Sequence, residues 1–226
     1  MPREVLDLAL FPLNTVLFPG MPLPLHIFEE RYRRMINECL EEEREFGVLL
    51  ARLGNTGAEI GIAHRIGTSA RITHVHRLEN GRMNILTTGT ERFRLLQLAE
   101  TSPFTVGRVE SFPLEDPDAS EVTGLARQAS SLFIKYLRRA REVVGDLVRI
   151  ESSPQEARGL AYLIAGALQL SLQEKQLLLD TRTLPGLLRR ELRVLGRELT
   201  VLERLHQVQQ SAGGYVVGAT GHFSLS

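Results

Sequence analysis

Tryptophan is absent from the 226 residues, cysteine occurs once and lysine only twice, at Lys135 and Lys175. A single cysteine, Cys39, excludes an intramolecular disulfide framework and points to a reducing compartment. No basic-then-apolar leader opens the chain, since Pro2-Arg3-Glu4 runs straight into a strand-like segment. No apolar run approaches the ~18 residues that a membrane span needs, so the expected location is cytoplasmic. Net charge is missing too, with 27 Lys and Arg against 27 Asp and Glu. That balance argues against a nucleic-acid binder working by bulk electrostatics. What remains is an ordinary globular composition, 43% hydrophobic and 24% charged, long enough for one large domain or two small ones.

The most structured stretch is Leu8 to Arg34. Two apolar runs, Leu8–Leu13 and Val16–Phe18, flank Asn14 and Thr15. Pro19-Gly20 then predicts a type II turn, proline fixing φ at the second position and glycine accepting positive φ at the third. In Met21-Pro22-Leu23-Pro24-Leu25 two prolines remove backbone donors, which restricts the segment to an edge or a groove. Carboxylates at Glu29 and Glu30 mark a helix start, where the dipole favours them.

Past this stretch, apolar spacing predicts a helix from about Glu29 to Arg44, with Tyr32, Met35, Ile36, Cys39 and Leu40 on one face. Short strands are expected at Phe46–Leu53, Ser69–Leu78, Arg82–Thr88, Arg92–Leu98 and Phe104–Ser111, with a glycine-spaced loop over Gly54–Gly61. Asn80-Gly81 is a strong two-residue hairpin signal. The fold class expected is α+β, a small, strongly bent sheet or barrel with one inserted helix over residues 1–112. Two prolines and three acids make 113–118 a linker. Residues 119–210 carry helical periodicity for a four-helix bundle, with capping boxes at Ser153–Glu156 and Ser171–Glu174. Residues 211–226 form a glycine-rich tail.

Candidate chemistry is thin. His74 and His76 alternate onto one strand face, and His64 is the only nearby third ligand that zinc would require. Ordinary sheet histidines account for the pattern, and neither metal nor cofactor is expected. Cys39 sits among apolar helix positions and reads as a core residue. No glycine-framed serine accompanies Lys135 or Lys175, and Gly218-Ala219-Thr220-Gly221 lacks the lysine of a phosphate loop. The cluster Lys135, Arg138, Arg139, Arg141 lies late in a helix, where cations complement the dipole. Arg92-Phe93-Arg94 is the one basic–aromatic interleaving that RNA would use.

Several stretches resemble the N-terminal, substrate-recognition domain of ATP-dependent Lon proteases. They are Leu10-Phe11-Pro12-Leu13, Val16-Leu17-Phe18-Pro19-Gly20, Leu23-Pro24-Leu25-His26-Ile27-Phe28-Glu29 and Arg31-Tyr32. In the family's order follow Ile66-Gly67-Thr68, Ala70-Arg71-Ile72, Asn80-Gly81-Arg82, Gly89-Thr90-Glu91-Arg92-Phe93, Pro103–Val109 and Leu168–Gln176. The resemblance spans about residues 6–208 and implies a PUA-like β-barrel followed by a helical bundle. Complete Lon proteases continue into an ATPase module and a serine–lysine peptidase, and this chain stops before either. The resemblance therefore implies a free-standing, non-catalytic module that binds exposed apolar polypeptide segments or a protein partner. The alternative is a PUA-like RNA- or nucleotide-binding module. The expected binding residues are Pro19, Met21, Pro22 and Leu23 as a lip, with His26, Glu29, Arg31 and Tyr32 beside it. Plain packing competes for the same residues: Leu23, Leu25, Ile27 and Tyr32 would plug the barrel, and Glu29 would cap the helix.

Overall fold

The computed structural model describes residues 5–52, 61–62, 64–99, 103–144 and 156–211. The predicted loop at 54–61, the capping box at 153–156 and the tail lie wholly or mostly outside these residues. Seven strands and five helices follow in order: β1 (Val5–Leu13), β2 (Pro22–Ile27), α1 (Glu30–Glu41), β3 (Phe46–Arg52), β4 (Gly61–Ile62), β5 (Ile66–Arg77), β6 (Met83–Ala99), β7 (Val106–Ser111), α2 (Val122–Val144), α3 (Ala157–Ala167), α4 (Leu172–Leu179) and α5 (Leu184–Ser211). The class is α+β, with the strands in one mixed sheet ordered β1-β7-β6-β5-β3-β4 and β2 paired to β6. β1 also runs parallel to β3, Leu10 opposite Gly47 through Leu13 opposite Leu50. The pairings thus pass from β1 through β7, β6, β5 and β3 back to β1.

Local signals in the opening stretch act as the sequence predicts. Gly20 takes φ of 78°, and the Met21 N–H donates to the Phe18 carbonyl at 3.1 Å across the Pro19-Gly20 turn. β2 pairs with β6 alone, so its prolines stand on an edge where missing donors cost nothing. Tyr32, Met35, Ile36 and Cys39 are the buried residues of α1, and the Tyr32 ring stacks on Phe11 with centroids 4.0 Å apart. At the hairpin, Asn80 and Gly81 both adopt positive φ, at 63° and 71°. The turn spans three residues, Glu79–Gly81, not two, and the Leu78 N–H closes it on the Arg82 carbonyl at 2.8 Å.

Two predicted strands, 82–88 and 92–98, form one 17-residue strand, β6. Gly89 sits at the join. Its N–H donates to the Met21 carbonyl at 2.9 Å, and its own carbonyl accepts from the Gly20 N–H at 2.8 Å. A Cβ at this position would meet the Phe18 carbonyl oxygen at 2.5 Å, so only glycine lets the turn seat here. The run Val16–Phe18 forms no strand. It threads between two cores, Leu17 packing with the sheet residues Phe11, Phe46 and Ile85, and Val16 and Phe18 with the helices.

In the second half, α2 and α5 pack along each other, α3 against both, and α4 against α3 and α5. The Ser171 side chain accepts from the Glu174 N–H, and the Glu174 carboxylate accepts from the Ser171 N–H, completing the predicted capping box. The main helical core takes in Phe133, Tyr136, Leu160, Leu188 and Leu195, and with them Leu50, Ile66, Phe112 and Leu114 from the sheet side. Glu115 donates its N–H to the Arg182 carbonyl and accepts from the Leu184 N–H, each at 2.9 Å. No helix among the described residues is long and apolar enough to cross a membrane.

Arg92 fastens the two halves. It is 2% exposed, and its Nη1 donates to the carbonyls of Leu179 at 2.5 Å and Thr181 at 2.6 Å. Leu179 ends α4, so the cation lies where the helix dipole favours it. The Phe112 ring lies 4.8 Å from the guanidinium. Alongside, the Gln176 amide donates to the Ile66 carbonyl at 3.0 Å and to the Asp180 carboxyl at 2.7 Å. The interleaved triplet Arg92-Phe93-Arg94 is therefore no RNA-facing surface: Arg92 and Phe93 are buried, and Arg94 pairs with Glu110 at 3.0 Å. Replacing Arg92 by Met strands both carbonyls in a closed interface, which costs about 3 kcal/mol. The expected outcome is a clearly lower urea midpoint, and an unchanged midpoint contradicts the assignment.

Glu191 on α5 is fully buried, and both carboxyl oxygens lack a hydrogen-bond partner. Burial alone pushes its acid well above the usual carboxylate range. Because the folded state holds this proton more tightly than the unfolded chain, the group is harmless below the unfolded carboxyl pKa of about 4.3. It subtracts stability as pH rises from there toward the folded pKa. Glu191→Gln should thus gain stability over the parent chain progressively as pH is raised through the range above the unfolded carboxyl value. Denaturant titrations of both proteins across that range check it; a pH-independent difference contradicts it.

Candidate functional site

An edge strand with alternating burial sets out one face of the sheet. Along β2, Leu23, Leu25 and Ile27 turn inward, whereas Pro22, Pro24 and His26 are exposed. Cross-strand partners share a face. Pro22 lies opposite Thr88, Pro24 opposite Leu86 and His26 opposite Asn84. On the far side of β6, Thr88 faces Arg71, Leu86 faces His74 and Asn84 faces His76. The outward face of β2, β6 and β5 is therefore a small grid with an apolar centre and a polar margin. Just past the end of β2, Phe28 is 59% exposed, and its ring lies 6.0 Å from that of His26. The His26 Nδ1 is 2.7 Å from the Asn84 Oδ1, which fixes the imidazole beside the phenyl ring.

The eight residues singled out in the sequence divide over this geometry. Pro22 and His26 belong to the face itself. At its end, Glu29 and Arg31 form an ion pair at 2.8 Å, and the Arg31 guanidinium lies 4.5 Å from the centre of the Tyr32 ring. Tyr32 is 6% exposed; its hydroxyl titrates above the ordinary range because it is buried, an effect that Arg31 opposes. Leu23 is half-buried over the sheet core, and its carbonyl accepts from the Thr87 hydroxyl at 2.9 Å. Met21 turns toward the helices, close against Gly166 of α3. Pro19 is half-buried in the turn. The sequence reading missed Pro24, Phe28, Asn84 and Leu86, and it weighed His74 and His76 as metal ligands or ordinary sheet histidines. Alternation through β2 was the available signal; the pairing of β2 with β6, which brings His74 and His76 onto this face, has no local signature.

Other candidate chemistry is occupied elsewhere. Burial pushes the Cys39 thiol up to about 11, with Glu38 and Glu42 adding to the shift. The Lys175 ammonium donates to the Gly166 carbonyl at 3.0 Å, and the Ser171 hydroxyl is held by Glu174. Among the described residues no three His, Cys, Asp or Glu side chains converge on a metal position. Apolar side chains also stand out at Val5, Leu6, Leu96 and Leu98, next to the undescribed residues 1–4 and 100–102.

Comparison with known proteins agrees with this architecture. A Lon protease from Roseiflexus castenholzii is 32% identical over 198 residues, which make up 86% of this chain and 24% of that protease. A Lon protease from Syntrophus aciditrophicus is 25% identical over 208 residues, 26% of its length. The chain thus spans about a quarter of these relatives. The crystal structure of a Lon N-terminal domain protein from Xanthomonas campestris superposes with a TM-score of 0.59 at 25% identity, covering 84% of this chain and 98% of that one. The N-terminal domain of the Mycobacterium avium complex Lon protease shares the fold, with a TM-score of 0.62 at 21% identity and coverage of 86% and 98%. The family model for the ATP-dependent protease La (LON) substrate-binding domain matches residues 7–197, and the chain belongs to that family.

Proposed function

We propose that this chain is a non-catalytic recognition module that holds exposed apolar segments of polypeptide, or a protein partner, against the outward face of β2, β6 and β5. The observation that carries the reading is Phe28, 59% exposed at the end of an edge strand whose outward prolines adjoin Leu86. Large apolar side chains exposed close together on one face mark a binding surface more often than single scattered ones do. Its relatives' name, Lon protease, supplies the client class: proteins destined for degradation, which expose apolar segments. Pro22, His26, Glu29 and Arg31 then form the rim around Phe28, Pro24 and Leu86. Pro19, Met21 and Leu23 hold the strand in place, and Tyr32 anchors α1 beneath it. The same reading takes the ring of paired strands as a PUA-like barrel, α2 to α5 as a four-helix bundle, residues 113–118 as the join and the cytoplasm as the location.

Magnitudes favour weak, permissive binding. Covering Phe28 and Leu86 contributes about 2–4 kcal/mol before association costs are subtracted. That suits brief contact with many unfolded sequences better than one tight complex. The test is fluorescence anisotropy with a labelled, permanently unfolded polypeptide. A Phe28→Asp, Leu86→Glu double variant should weaken binding about tenfold, and thermal unfolding of both proteins verifies that the variant is folded at the assay temperature. Equal affinity for parent and variant rejects this surface. Salt-dependent binding of single-stranded RNA in place of polypeptide would instead favour the nucleic-acid alternative.

A further inference from the structure

A cleft of about 320 Å³ opens between α4 and α5, on the helical half of the molecule. Its floor is apolar, made by Leu177, Leu178 and Val194. Leu177 is 55% exposed, a large apolar side chain with no covering neighbour. Arg190, Arg193 and Arg197 of α5 and Glu174 of α4 complete the lining. The i, i+3, i+7 spacing of the arginines puts all three on one face of α5. Seven residues of helix spread that charge over ~10 Å.

The acids around the cleft do not match these cations. Arg197 pairs with Glu174 at 2.7 Å and Glu198 at 2.8 Å, and Glu174 also caps α4. Among the described residues neither Arg190 nor Arg193 forms an ion pair; Arg193 only reaches the Arg189 carbonyl at 3.4 Å. Asp180 acts on Arg190 electrostatically, but its carboxyl is half-buried and accepts from the Gln176 amide. Arg190 and Arg193 thus stand without an ion pair beside apolar side chains, in a cleft sized for one or two side chains.

We infer that this cleft binds an acidic–apolar polypeptide segment, its large apolar side chains resting on Leu177, Leu178 and Val194 and its Asp or Glu carboxylates on Arg190 and Arg193. Arg190 and Arg193 lie one turn apart on the same face of α5, so a segment carrying two or more acids can set a carboxylate on each. Guanidinium groups favour carboxylates through paired N–H donors. The chain's own last residues, 212–226, contain no Asp or Glu and lack the charge for this site. The cleft is separate from the sheet face and does not depend on the function assigned there.

The probe is a short fluorescein-labelled peptide of Glu and Leu, titrated with the full chain and read by anisotropy. Arg190→Glu with Arg193→Glu should lower affinity at least about tenfold, since attraction becomes repulsion at two positions. A Gln-for-Glu peptide should bind as weakly to the parent. Both arginines are exposed, and an unchanged thermal midpoint verifies that the variant folds. The same reversal at Arg138, exposed on α2 and outside the cleft, should leave this affinity as it was, which separates the cleft from charge elsewhere on the helices. No measurable binding of the acidic peptide, equal binding by the Gln peptide, or indifference to the arginine reversal overturns the inference.

Discussion

The fold turns on one buried cation. Arg92 projects from β6 into the end of α4, and a single nitrogen serves two backbone carbonyls there. A guanidinium so little exposed is costly to bury, and the two carbonyls engage only one of its nitrogens, with the Tyr162 side chain beside it. What offsets the cost is position: helix-end carbonyls on one side, the Phe112 ring on another. The bond ties a strand to a helix residue 87 positions later, across the core that sheet and helices share at Phe18, Leu50, Ile66 and Leu114.

That shared core determines which surfaces are left for recognition. The inner side of the sheet is closed by Tyr32, Met35 and Ile36 of α1, and the helix-facing side by the Arg92 junction. The outward grid of β2, β6 and β5 remains. Gly89 contributes indirectly, since it seats the Pro19-Gly20 turn and so sends β2 along the edge of β6. The prolines that remove donors from β2 also keep that edge from recruiting another strand, leaving side chains to make the contacts.

Much of this was legible locally. Proline before glycine specified the turn, the 3.6-residue period specified the buried face of α1, and Ser171 with Glu174 specified a cap. Each depends on residues within one turn of chain. The continuity of β6 was not legible, because Gly89 looks like a breaker until Phe18 is placed against it. Arg92 read as a surface triplet, because nothing nearby reveals that α4 ends beside it. Glu191 gave no warning either, standing between two arginines and leucines in an amphipathic helix. The order of a strand-rich half and a helical half followed from periodicity and agreed with the family resemblance; the recognition face needed the β2–β6 register, which joins residues some sixty positions apart, as in the Thr87–Leu23 contact.

The most direct test of recognition by the sheet face is site-specific photocrosslinking to an unfolded polypeptide. A benzophenone side chain would be placed at Phe28 in one protein and at Leu98, in the other exposed apolar patch, in a second. The account predicts efficient crosslinking from position 28 and little from position 98. Crosslinking from position 98 with none from position 28 would contradict it.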